Sequence, residues 1–393
     1  MSAGNVFVAT YPPRRCGIAT FTHDLAIATG DHEIVALHPP DGPAAYPAEV
    51  KHRIRRDARE DYLRVAKSLN RSDARVVSIQ HEYGIWGGDD GESVLDFAAA
   101  LQMPVVTTLH TVPQNPSSGQ RRVLMRLVAA SSATVVMSRS AAAVLGRVYG
   151  VNPSAVDVVP HGVPDLPLVE PNSVKPGLGI QTAPMILSFG LIGPGKGYEA
   201  VIEAMPAVIR ACPTANYVIL GATHPELLRR EGEAYRTKLM SLAENLGVAA
   251  RVHFVDRFVS RAELGMWLTA ADVFVTPYPN RDQIVSGTLA YAMSAGKACL
   301  STPYAYAVEM LEAGRGRVMA SGSPEAISES LTELLSDHDL RRRLGRQAYK
   351  YSRTMIWPEI GARYRRIFER VEAVGIASYG ESREAAASNA RAW

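Results

Sequence analysis

Two stretches of this 393-residue chain place small residues beside either a fixed positive charge or the open start of a helix. The first is Gly190-Leu191-Ile192-Gly193-Pro194-Gly195-Lys196-Gly197, between an apolar run and a helix-forming one. Glycines such as Gly190 and Gly195 let a backbone come close to a phosphate, and Lys196 adds a positive charge there. The pattern follows a nucleotide-phosphate loop up to its last place. There Gly197 replaces the Ser or Thr hydroxyl that would hold Mg²⁺, which counts against an ATPase. The second stretch, Ser286-Gly287-Thr288, leads into the helix-forming Leu289 to Met293, and the free N–H groups of such a start can receive an anion.

Three histidines, His81, His110 and His161, stand at the ends of expected strands. Neutral imidazole both donates and accepts, which suits sugar hydroxyls. A lone histidine more often only ties structure together. Three at sheet edges shift that balance, and His110 in Thr108-Leu109-His110-Thr111 is the strongest candidate. Glu82 could hold a hydroxyl or act as a base, weighed evenly against a surface role. Asp89-Asp90 has no partner ligand at a useful spacing, so that loop reads as structural or acceptor-facing and no metal is expected.

These residues need elements to position them. Short apolar runs at 5–10, 33–37, 74–79, 105–109, 133–137 and 156–159 read as buried parallel strands, with helical segments between them. The charged stretch 52–69 reads as a surface helix. A second alternation starts at 185 and runs through strands at 185–189, 216–220, 251–255, 273–276 and 297–302. Helices are expected from 199, 233, 261, 289, 324 and 338. Strand-helix alternation predicts an α/β chain with two doubly wound parallel sheets. The expected divisions are 1–165, a proline-rich linker 166–184, a second domain 185–357, a helix 358–374, and a mobile tail 375–393. Ligands of open parallel sheets bind at the C-terminal ends of the strands, so a central cleft between the domains is the expected site.

Composition sets the outer limits. Apolar residues make up 47% and charged residues 21%, ordinary for a globular protein, and a net charge of +3 gives no argument for nucleic acid. Ten Arg or Lys against two Glu lie between Arg341 and Arg370. A solvated helix face is the favoured reading of that run, with a weak peripheral membrane contact as the minor alternative. The widely spaced Cys16, Cys212 and Cys299 suit a reducing compartment, and neither a signal peptide nor a membrane span is visible, so a cytoplasmic protein is expected.

With these pieces in place, the chain resembles a GT-B glycosyltransferase, most like glycosyltransferase family 4. The resemblance runs over nearly the whole chain. It is most specific at Val158 to Val163, at Phe189 to Gly197, and at Ala271 to Pro277 together with Ala292 to Lys297. It implies two Rossmann-like domains, with the nucleotide-sugar donor mainly on the second. The hydroxyl acceptor is mainly on the first, to which the last helix returns. It also implies retaining, metal-independent transfer of a hexosyl group, with the nucleotide-diphosphate sugar as co-substrate and no other cofactor. By position, Gly17 falls in the glycine loop near the donor phosphates, His110 beside the transferred sugar, and Lys196 at the diphosphate. Ser286, Gly287 and Thr288 form the loop facing sugar and phosphate, and His81, Glu82 and His161 are assigned to the acceptor.

Three positions depart from the family. Leu191 replaces an arginine, and Gln283 and Tyr291 replace two glutamates that contact the donor sugar and ribose. Gln283 keeps hydrogen bonding but not charge, and Arg257 or Arg281 is expected to supply the missing cation. A GT-B glycoside phosphorylase using inorganic phosphate and a catalytically silent sugar- or nucleotide-binding protein are the alternatives. Donor, acceptor, linkage and oligomeric state are left open.

Overall fold

The computed structural model describes residues 4–39 and 45–390, with side chains through 374. Contacts divide it into two units. One is the chain up to Pro160 together with the segment from Trp357 onward, and the other is His161–Ile356.

The first unit is a seven-stranded parallel sheet. Its strands are β1 (Asn5–Ala9), β2 (His32–His38), β3 (Val50–Arg55), β4 (Val76–His81), β5 (Val105–Leu109), β6 (Ala133–Val136) and β7 (Val156–Val158), in the order β3-β2-β1-β4-β5-β6-β7. β4 and β5 are buried along their whole length, as strands covered on both faces must be. The helix expected over 52–69 is instead edge strand β3 followed by the helix Arg59–Leu69. Val-Lys-His-Arg-Ile-Arg alternates with a period of two, only Ile54 is fully buried, and β2 supplies the ladder partner. Asp61 fastens the two pieces by accepting from Arg55 Nε at 2.7 Å and from the Arg55 N–H at 3.0 Å.

The acidic loop is a brace. Asp90 Oδ2 accepts from Ser117 Oγ at 3.0 Å, and Ser117 and Gln120 form a capping box that starts the helix Ser118–Ala129. The last helix, Trp357–Ala390, packs on this unit. Tyr364 Oη lies 2.9 Å from Thr108 Oγ1, and Phe368 meets the Phe7 ring edge-on at 5.9 Å. Its backbone continues past the expected end at 374, through strong helix formers such as Glu381 and Ala385 to Ala387. The side chains of the expected mobile tail, and residues 391–393, lie outside the described residues.

The second unit holds β8 (Met185–Phe189), β9 (Asn216–Leu220), β10 (Val252–Val255), β11 (Val273–Thr276), β12 (Ala298–Ser301) and β13 (Arg317–Val318), all parallel, in the order β10-β9-β8-β11-β12-β13. The proline-rich stretch is not a free connector. Its Lys175 is 1% exposed, and Lys175 Nζ donates to Asp272 Oδ2 at 2.7 Å, Asn172 Oδ1 at 2.8 Å and the Ala183 carbonyl at 2.9 Å. Asp272 Oδ2 also accepts from the Met185 N–H at 2.8 Å, so one carboxylate ties this segment to the starts of two strands.

In both sheets the strand order reverses beside the first strand, between β1 and β4 and between β8 and β11. Crossovers leave in opposite directions at such a point, and the loops after the two strands open a crevice. Of the stretches singled out above, Gly190 to Gly197 follows β8 and Ser286 to Thr288 follows β11.

Candidate active site

In the second unit, the loop after β8 and the loop after β11 converge on Tyr278. Lys196 Nζ lies 4.7 Å from the centroid of the Tyr278 ring, whose hydroxyl is 2.8 Å from Thr288 Oγ1. Thr288 Oγ1 is in turn 3.0 Å from Ser286 Oγ, and Ser286 caps the helix Gly287–Ser294 by accepting from the Leu289 N–H at 3.3 Å. A fixed charge thus stands near the amide-rich start of a helix, both of which favour an anion. Tyr278 is itself held by stacking on Tyr304 at 5.4 Å, and its carbonyl accepts from Thr302 Oγ1 at 2.6 Å. Gly197 is required by geometry: its φ is +73°, and a Cβ there would collide with the Pro277 carbonyl oxygen.

His161 belongs to this same cluster. Its ring lies edge-on to Tyr291 at 6.0 Å, and a Cβ on Gly287 would come within 2.7 Å of His161 Nε2. Its Nδ1 pairs with the Gly162 carbonyl at 2.7 Å. The histidine assigned from sequence to the acceptor therefore sits among the donor-assigned residues, because the chain enters the second unit at His161. Tyr291 is buried between His161 and Phe189. Gly190 adjoins as well, its Cβ position 3.6 Å from Thr288 Cγ2. Gln283 Nε2 donates to the Val285 carbonyl at 2.9 Å, within the loop that enters the helix.

The two arginines differ. Arg257 is committed: Nη1 donates to Glu263 Oε2 at 2.7 Å and Nη2 to Glu263 Oε1, a two-bond pair at the start of the helix Arg261–Ala270. Arg281 is exposed; its carbonyl accepts from the Ala305 N–H at 3.0 Å, and its guanidinium has no carboxylate partner among the described residues. Gly195, at φ +85°, has open space around it.

In the first unit, Gly17 opens the helix Gly17–Thr29 after the loop that follows β1, with Cys16 Sγ accepting from the Ala19 N–H at 3.4 Å. His110 is 6% exposed, its Nε2 2.9 Å from Gln80 Oε1 and its ring edge-on to Phe21 at 4.8 Å. Gln80 is fixed in turn by its bond to Ser78 Oγ at 3.2 Å. Glu82 braces the loop after β5: Oε2 accepts from Thr111 Oγ1 at 2.5 Å and Oε1 from the Tyr83 N–H at 3.0 Å. Burial raises the Glu82 carboxyl above the ordinary range, against the pull of those two donors.

His81, assigned to the acceptor from sequence, is buried. It is fully enclosed at the end of central strand β4, and neither ring nitrogen has a hydrogen-bond partner among the described residues. Burial lowers it to about 4, so the ring is neutral at pH 7. An unfolded histidine takes its proton near pH 6.5, so the unfolded state binds more protons below that pH and stability falls as pH drops towards 4. Between pH 6.5 and 5 the expected loss is about 2 kcal/mol, at roughly 1.4 kcal/mol per unit. His81→Leu should remove most of it. Urea unfolding at pH 7 and pH 5 checks this; equal acid sensitivity in both proteins would refute it.

Sequence reasoning missed Tyr278, which bridges the two loops, and Gln80, which orients His110. A signal for each was present: an aromatic residue directly after Pro277 at a strand end, and an uncharged polar residue closing the apolar run Val76 to Ile79.

Comparison with known proteins agrees with this architecture. Residues 16–165 match the family described as Glycosyltransferase Family 4, and residues 172–351 match Glycosyl transferases group 1. The D-inositol 3-phosphate glycosyltransferase of Corynebacterium glutamicum (strain R) is 26% identical over 320 residues, 75% of this chain and 72% of that protein. The protein of that name from Xylanimonas cellulosilytica is 30% identical over 67% of this chain and 66% of its own length. A GDP-mannose-dependent monoacylated alpha-(1-6)-phosphatidylinositol monomannoside mannosyltransferase of Corynebacterium glutamicum is 24% identical over 85% of this chain and 89% of its own. Among solved structures, Anabaena HepE in complex with UDP and glucose superposes with a TM-score of 0.76, at 14% identity over 93% of this chain and 99% of that one. Sucrose-phosphate synthase from Thermosynechococcus elongatus superposes with a TM-score of 0.74, at 17% identity over 94% and 99%. Two Rossmann-like parallel sheets carrying these two matched domains make the chain a member of the GT-B glycosyltransferases, with a family 4 domain followed by a group 1 domain.

Proposed function

We propose that the protein moves a hexosyl group from a nucleoside-diphosphate sugar to a hydroxyl acceptor, with retention at the anomeric carbon and without a metal ion. One observation carries the reading. At the β8/β11 reversal, Lys196 and the start of the helix Gly287–Ser294 share Tyr278, which puts a cation and free amides at one place. That suits a diphosphate leaving group. The relatives' names support the class of donor, one being GDP-mannose-dependent and one solved structure holding UDP and glucose.

In this mechanism the bond between the anomeric carbon and the diphosphate oxygen breaks. The acceptor oxygen bonds to the same face of that carbon, and its proton passes to the departing phosphate oxygen. The growing charge on the phosphate is met by Lys196 and by the amides at Gly287 and Thr288, in place of a divalent cation. Gln283, in the loop that enters the same helix, offers a hydrogen bond to the sugar. We place the reaction in the cytoplasm, the reducing compartment that three unpaired cysteines suit.

Calorimetric titration with UDP-, GDP- and ADP-hexoses, followed by turnover of the tightest binder, tests this reading. Saturable binding of one donor is expected. Arg281→Ala should weaken it about tenfold, the loss of one charge-assisted contact of about 1.5 kcal/mol. Arg257→Ala should change it little, because that guanidinium already serves Glu263. No donor binding, or release of sugar 1-phosphate that depends on inorganic phosphate, would overturn the reading.

A further inference from the structure

The second unit also has a cavity of ≈ 210 Å³ at the opposite edge of its sheet. Its floor is the starts of β11 and β12, at Asp272 and at Lys297 and Ala298, whereas Tyr278 and Ser286 follow the far end of β11. One wall is the proline-rich segment at Glu170. The other is one face of the helix His338–Ser352, which presents Arg341, Arg342 and Arg346.

The charges around this cavity do not balance locally. Of its two carboxylates, Asp272 already serves Lys175 and the Met185 N–H. Glu170 lies 3.5 Å from Arg342, a loose exposed pair. Arg341 Nη1 donates to the Leu334 and Leu335 carbonyls, and Arg346 has no carboxylate partner among the described residues. Lys297 is 3% exposed, and its Nζ donates to the Thr269 carbonyl at 2.8 Å. An ammonium carries three donors, and Lys297 Nζ makes no other hydrogen bond among the described residues. Burial is the main cause that lowers Lys297 to about 8, with Lys175 adding to it and Asp272 opposing. A buried ammonium with unspent donors, in a cavity that three arginines also line, is electrostatically costly without an anion.

We infer that this cavity is a second anion site, which takes a phosphate group between Lys297 and the arginines of the helix His338–Ser352. The ligand is inorganic phosphate or a phosphomonoester. It is separate from the donor diphosphate, since β11 alone spans about 13 Å at roughly 3.3 Å per residue. Planar guanidinium groups match phosphate oxygens two at a time, whereas a buried lysine acts as a point charge.

The test is calorimetric titration of the full chain with inorganic phosphate, in the wild type, in Lys196→Ala and in the pair Arg342→Ser with Arg346→Ser. Both arginines are exposed, so the pair should keep its melting temperature in phosphate-free buffer. Phosphate binding should fall at least tenfold in the pair, return when lysine replaces each arginine, and persist in Lys196→Ala. A second arm uses phosphatidylcholine vesicles with and without phosphatidic acid. Arginine-dependent sedimentation there, without binding of free phosphate, identifies a lipid headgroup as the source, while binding of free phosphate identifies a soluble ligand. The inference fails if neither form binds. It fails equally if binding survives in the arginine pair or disappears in Lys196→Ala, because the phosphate then belongs to the donor site.

Discussion

Lys196→Ala is expected to slow transfer about 100- to 1,000-fold, the usual cost of removing one preorganised group that meets developing charge. The melting temperature should move by no more than about 2 °C, because Lys196 is half-buried on a loop and its side chain makes no hydrogen bond or ion pair among the described residues, only the contact with the Tyr278 ring. The two readouts separate chemistry from folding. The leaving diphosphate gains negative charge as its bond to the sugar breaks, so a nearby ammonium stabilises the transition state more than the bound donor. The loss should therefore fall mainly on kcat, with a smaller change in KM. Tyr278→Phe keeps the ring under Lys196 but removes the bond to Thr288, and it should lower kcat less than Lys196→Ala does. If Lys196→Ala lowered activity only in proportion to its melting temperature, the lysine would be structural and the anion would have to be held elsewhere.

The second large effect is on stability. Asp272→Asn should cost about 3–5 kcal/mol, the range for leaving one member of a buried ion pair uncompensated. Lys175 is 1% exposed, and its other two partners are uncharged, so asparagine would strand an ammonium where water cannot reach it. Asparagine still offers an oxygen to the Met185 N–H, which keeps the strand-start contact and isolates the charge effect. The melting temperature should drop by about 10 °C, and adding Lys175→Met should recover most of that loss, since a buried pair can be exchanged for apolar packing at little net cost. A loss below about 1 kcal/mol in the single variant would mean that the proline-rich segment opens easily and hydrates the lysine.

Much of the architecture could be read along the chain. Short runs such as Val273-Phe274-Val275-Thr276, bounded by Asp272 and Pro277, could only be strands buried on both faces, and their alternation with helices required parallel sheets. Where local pattern and tertiary pairing competed, the reading failed. The stretch 52–69 contains helical charge spacing, but Val50–Arg55 gains a ladder partner in β2 that no local pattern reveals. The helix Ala305–Leu311 and the two-residue strand β13 were missed because each is too short to establish a period.

The candidate site divides along the same line. By itself the sequence determined which residue types could handle a diphosphate, since a glycine loop with a lysine and a Ser-Gly-Thr helix start carry their chemistry in their own backbone. Tertiary structure alone decided which of them act together. Strand order brought the loops after β8 and β11 side by side, though more than 80 residues separate them along the chain. It enclosed His81 within the sheet, moved His161 to the donor-assigned cluster, committed Arg257 to Glu263 and made Tyr278 the bridge. The physical reason is that backbone propensity acts over a few residues, whereas burial, charge pairing and the reach of a side chain depend on neighbours that only the folded chain supplies.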